Sequence, residues 1–230
     1  YPPPKNMSEY QFYLPDTFAL TETAYPKYLE AFQRLNLTLV QKSGRNVYAG
    51  LPWPQLLAFF KSIFQLGIRA RTVWQSIKQV VFERLDSKIK NRRRTLQSVL
   101  TFDIFLKHLH QYRPEFVTYF TNHVASSMHR YWAARYPEDY KKNAFDKIWI
   151  KNYSKEIDYA MGVFEQFFIE LKKFCDENQD YELWVLSSMG QAPQKSDPIY
   201  NNLYIKDLNK FISTMGVRTQ GLQMLNSMFP

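Results

Sequence analysis

The chain has 230 residues, of which 17% are aromatic and only 7 are glycine, a composition that excludes a disordered chain and implies one sizeable packed core. Its single cysteine, Cys175, excludes an internal disulfide. No early apolar run reads as a signal peptide and no stretch approaches the roughly 18 apolar residues of a membrane span, so the expected compartment is the cytoplasm. The net charge of +9 is uneven: residues 61–113 hold twelve Lys or Arg against Glu83, Asp86 and Asp103, which is the whole excess. Such a segment attracts phosphate groups or polyanions through a field that salt screens. The chain begins at Tyr1 without a methionine, as a piece of a longer protein would.

Residues 1–24 are read as an extended arm, rich in proline and tyrosine at its start, on a single domain of 1–230, and 53–113 as a helical basic segment. From Tyr25 the spacing of Tyr28, Leu29, Phe32, Leu35 and Leu39 predicts a helix closed by Gly44. After a turn at 50–54, Leu57, Phe60, Ile63 and Phe64 repeat the signature until Gly67. A helical region over 69–110 follows, with a bend near Asp86-Ser87 or Asn91; Trp74, Ile77, Val81 and Leu85 form one apolar face and Leu96, Val99, Leu100, Ile104 and Leu106 another.

The stretch 116–132, FVTYFTNHVASSMHRYW, reads as a buried strand over Phe116, Val117, Tyr119 and Phe120, a polar turn, and a helix starting near Asn122. Residues 136–151 read as a loop, and 155–176 as an amphipathic helix with Ile157, Met161, Phe164, Phe168 and Leu171 on one side. The run Leu183-Trp184-Val185-Leu186 reads as a strand covered on both faces, ending in Ser187-Ser188-Met189-Gly190-Gln191. A short strand at 202–205 and a helix at 207–215, closed by Gly216, complete the chain. The implied fold class is α/β: helix-rich, with a partly parallel sheet flanked by helices and two polar strand ends meeting at one edge.

At those strand ends the chain resembles the alkaline phosphatase superfamily, in its type I phosphodiesterase and sugar-phosphate-mutase-like branches. There, one strand leads to an Asp-x-x-x-His pair, often followed by x-x-Trp, and a later strand ends in Ser-Asp-His-Gly. Here the first element appears as His129-Arg130-Tyr131-Trp132 and the second as Ser187-Ser188-Met189-Gly190, within a likeness covering roughly 100–216. The resemblance implies phosphoester hydrolysis with two metals and a Ser or Thr nucleophile. Two departures argue against a dinuclear centre: Ala125 stands where the pattern has Asp, and Ser188-Met189 replace Asp-His.

The expected site takes His123 and His129 as catalytic or ligand groups, Asn122, Ser126, Arg130, Ser187, Ser188 and Gln191 as substrate contacts, and Arg92, Arg93 and Arg94 as an anion patch. Each has a plainer alternative: a helix cap at Asn122, a backbone-bonded histidine at His123, a turn cap at Ser188 and a solvated face for the arginines. Cofactors are left open, with at most one divalent metal held by His123 and His129. Ser188 lacks the Gly-x-Ser-x-Gly elbow of a nucleophile. The basic run lacks aromatics and no nucleic-acid motif is present, so no sequence-specific nucleic-acid binding is expected. Two functions compete: a phosphohydrolase or phosphodiesterase-like domain with an altered or lost metal site, acting on a phosphate ester or an anionic small-molecule or sugar ligand; or a non-catalytic module for an anionic polysaccharide, a nucleotide or a partner protein.

Overall fold

Helical periodicity governs nearly every packed segment of the chain. The structure is a computed structural model that describes residues 4, 6–17, 19–41, 53–142, 144–187, 190–193 and 207–216. Eight helices are present among them: α1 (Glu30–Gln41), α2 (Trp53–Leu66), α3 (Ala70–Leu85), α4 (Arg93–Tyr112), α5 (His123–Arg135), α6 (Lys147–Tyr153), α7 (Glu156–Glu177) and α8 (Leu208–Thr214). Two compact units divide the chain, 1–193 and 194–229, and α8 belongs to the second. Within that unit the Asp207 carboxylate accepts from the Lys210 N–H at 2.9 Å, capping the helix, and Gly216 follows it with φ +73°.

The first unit is organised around α4, whose faces enter two cores. Leu100 and Ile104 pack with Leu29, Phe32 and Leu35 around α1 and with Phe59 and Leu66 of α2. Phe102, Phe105 and Leu109 pack with Phe167 and Phe174 of α7. Phe102 is fully buried and stacks on Phe167 at 4.1 Å between ring centroids, a side-chain burial that contributes about 2–3 kcal/mol. A third, smaller cluster of Tyr131, Ala134 and Ile157 joins α5 to α7, with Trp149 and Tyr153 of α6 against it.

The helical region expected over 69–110 is two helices. Asp86 breaks it: its carboxylate accepts from the Lys88 N–H at 3.0 Å and caps a 3-10 turn over Ser87–Arg92 before α4 begins. Gly67 closes α2 with φ +79°, a left-handed conformation that glycine adopts without strain. The arm is tied down in part: Phe12 lies against His108 and Tyr112, with ring centroids 5.1 and 6.2 Å away.

The expected α/β architecture is corrected, and with it the sheet implied by the alkaline phosphatase resemblance. Among the described residues the β-type pairing is a single antiparallel bridge between Tyr13 and Tyr25, outside any strand. The segment 116–120 does keep a two-residue alternation, with Val117 and Tyr119 inward and Phe116 and Phe120 exposed. It lies on helices, however: Tyr119 packs on Phe102, Phe105 and Phe167, and its hydroxyl donates to the Ser98 carbonyl at 3.0 Å. Alternation specifies one buried face, and a helical surface satisfies it as well as a sheet does. The second expected strand has Trp184, Val185 and Leu186 exposed, the opposite of a strand covered on both faces. The expected strand at 202–205 and the closing Gly44 lie outside the described residues. The expected loop over 136–151 holds the start of α6, capped by Asp146 through the Ile148 N–H at 3.0 Å. Among the described residues no helix is long and apolar enough to cross a membrane.

Candidate functional site

Helix α5 carries both expected catalytic histidines, with Ser126 and Arg130, and its pitch sorts them onto different faces. Ser126, His129 and Arg130 lie at i, i+3 and i+4 and share one face; His123, six residues before His129, faces α7. His123 is buried. Its Nδ1 accepts from the Thr121 hydroxyl at 2.6 Å and its Nε2–H donates to the Ala160 carbonyl at 3.1 Å, while its ring meets the edge of Phe167. Burial pushes its pKa down to about 4, against a smaller opposing effect of the Ala160 hydrogen bond, so the ring is neutral at physiological pH. His123 thus joins the start of α5 to α7, with both nitrogens engaged by the protein. His129 is exposed and its Nε2 accepts from the Gln191 amide at 3.2 Å. The two histidines therefore offer no common face for the single metal that the sequence left open.

Asn122 is exposed at the N-cap position, and its side chain makes no capping hydrogen bond. Ser187 is exposed, and Ser188 lies outside the described residues, as does Met189. Among the described residues no group of three or more His, Cys, Asp or Glu stands ready to hold a metal ion.

The three arginines part company. Arg92 forks onto Glu156 of α7 through contacts of 2.8 to 3.2 Å, and its guanidinium lies 4.2 Å from the centre of the Tyr159 ring. Arg93 forks onto the buried Glu83 of α3, with 2.7 Å from Nε to Oε2. Both are ties between helices. Arg94 turns instead to α5, where its Nη1 donates to the Ser126 hydroxyl at 3.4 Å. Burial first, and then the charge of Arg130, hold the Arg94 guanidinium well below its usual range, at about 10. The Tyr131 hydroxyl senses the same pair: burial raises its pKa to about 12, while Arg130 and, more weakly, Arg94 pull the other way.

Compared with protein-family models, curated proteins and solved structures, the chain finds no match. The site is therefore read from its own geometry.

Of the expected residues, Arg94, Ser126 and Arg130 come together where α4 passes α5, and His129 and Gln191 form a second pair reached from the same helix. Tyr131 was missed by the sequence reading, as was the separation of Arg94 from its neighbours. The signal for the latter was available: consecutive residues on a helix point about 100° apart, so Arg92-Arg93-Arg94 fan over more than half a turn and cannot present one patch. Chemically, two guanidinium groups and a hydroxyl offer donors suited to the oxygens of a phosphate or carboxylate group.

Proposed function

We propose that the first unit is a non-catalytic binding module for a small anionic ligand bearing a phosphate group, held between α4 and α5. The feature that supports this reading is the pairing of Arg94 with Arg130 beside Ser126: Arg94 donates to the Ser126 hydroxyl, and the nearby Arg130 charge helps lower the Arg94 pKa, so positive charge is concentrated where α4 passes α5 and attracts an anion. An arginine fork on phosphate oxygens then supplies both charge and geometry, and the Ser126 hydroxyl adds a third donor. Binding is favoured over phosphoester hydrolysis, the other expectation, because the expected acid–base residue His123 is neutral and engaged on both nitrogens.

Calorimetric titration of the full chain with inorganic phosphate and phenyl phosphate at low salt tests the reading. Saturable binding is expected, about tenfold or more weaker in Arg130→Gln, in line with the loss of a hydrogen bond to a charged group. Ser126→Ala, a smaller change, is expected to weaken binding by a lesser factor. Absence of binding, or equal binding by Arg130→Gln, refutes the site, and turnover of phenyl phosphate lost in His129→Ala would return the hydrolase reading.

A further inference from the structure

Helix α3 is inside out. Its inward stripe is largely polar: Thr72 and Glu83 are buried, Ser76 and Gln79 between them are half-buried, and Val73 beside Thr72 packs against the first core. Its outward stripe is apolar: Trp74, Ile77, Val81 and Leu85, with Trp74 57% and Leu85 79% exposed and Phe82 beside them. The orientation is fixed by specific inward contacts. Glu83 is forked by Arg93, and the Gln79 amide donates to the Ile89 carbonyl at 2.7 Å. Turning the apolar stripe inward would break this buried charge pair, so the stripe stays outside, where its contact with water is unfavourable until something covers it.

The charges around the stripe say what covers it. Lys78 lies along one margin and Arg84 along the other, both exposed, while Arg71, next along from Lys78, is paired with Glu170 of α7. The Lys78 ammonium sits 5.3 Å from the centre of the Trp74 ring, leaving the apolar body of the pair outward. The only carboxylate on α3 is Glu83, on the inward side, so the outward face carries cations and no acid. A convex helix face with Trp and aliphatic tips along its crest and Lys or Arg on both margins is the pattern of a helix lying in the headgroup plane of an anionic membrane.

We infer that the first unit docks peripherally on an anionic phospholipid surface through the outward face of α3, with Trp74, Val81 and Leu85 entering the acyl boundary and Lys78 and Arg84 meeting the headgroups. The inference does not rest on the phosphate site between α4 and α5.

Cosedimentation of the full chain with phosphatidylcholine vesicles, with and without phosphatidylserine, tests it. Because the residues are exposed, Val81→Gln/Leu85→Gln and Lys78→Gln/Arg84→Gln are expected to keep the native circular dichroism. Binding is expected only with phosphatidylserine. It weakens about tenfold for each apolar residue replaced and about fivefold for each cation, and it falls as salt is raised. A blue shift of tryptophan emission on vesicles, reduced in Trp74→Phe, is the accompanying signature. Absence of binding to phosphatidylserine vesicles, or undiminished binding by Val81→Gln/Leu85→Gln, overturns the inference. So does either a concentration-dependent dimer abolished by the same double substitution, or capture of an acidic amphipathic peptide without vesicle binding, since the face would then serve a protein partner.

Discussion

Replacing His123 with glutamine isolates the contribution of one buried imidazole to the pH dependence of stability. In the folded protein the ring is held neutral, with its pKa pushed down to about 4 by burial; in the unfolded chain it titrates at its ordinary 6.5. Between those values the unfolded state binds more protons, so stability rises with pH: the full contribution is present above 6.5 and is lost as pH falls towards 4. The difference of 2.5 pKa units corresponds to about 3 kcal/mol at the low end, and the same linkage gives about 2 kcal/mol lost already near pH 5. Glutamine can still donate to the Ala160 carbonyl and does not titrate. Urea unfolding from pH 7.5 to pH 4.5, run in parallel on both proteins, is expected to show the wild type losing about 2 kcal/mol more than the variant by pH 5. His108, also held below its usual value by burial, titrates in both proteins and cancels in the comparison. If the two curves stay parallel, or if the His123 ring protonates near 6.5 in an NMR titration, the account of the α5–α7 junction is wrong.

Four further substitutions probe the packing, one of them as a contrast. Glu83→Ala strands the half-buried Arg93 without its carboxylate and is expected to lower stability by about 3–5 kcal/mol in urea unfolding; Asp176→Asn, in the exposed pair with Lys172, serves as the contrast at less than about 1 kcal/mol. Thr72→Val removes a buried hydroxyl that has no hydrogen-bond partner among the described residues, so its stability is expected to stay level or rise by about 1 kcal/mol, where an ordinary buried threonine would lose stability. Gly67→Ala places a Cβ against the Lys107 side chain at a left-handed backbone position and is expected to cost about 1–2 kcal/mol, read as a lower thermal midpoint.

The helices were legible because their signals are local. Gly67 and Asp86 mark the ends of α2 and α3 by chemistry carried within a few residues, and Asn122 stands at the N-cap position of α5. The sheet was misread because the evidence for it was equally local: the alternation at 116–120 and the apolar run at 183–186 describe burial, and only a neighbouring strand makes either of them a ladder. Val117 and Tyr119 found their burial on α4 and α7. Helix α3 was legible only in part. Its apolar stripe at 74, 77, 81 and 85 was read correctly as one face, but which face turns inward was decided by Arg93, a residue on the next helix. The site follows the same division: the shared face of Ser126 and Arg130 is a matter of helical spacing within α5, whereas the approach of Arg94 across from α4 depends on tertiary packing that no window along the chain contains.

The double duty of α4 sets the order in which the first unit can come apart. Since Leu100 and Ile104 anchor one core and Phe102, Phe105 and Leu109 another, this helix cannot fray without dissolving both, and its amide protons exchange with deuterium only through global opening. The cluster of Tyr131, Ala134 and Ile157 stands apart from that shared spine, so α6 and the far end of α5 form a smaller cooperative piece that opens at lower free energy and shows earlier deuterium uptake.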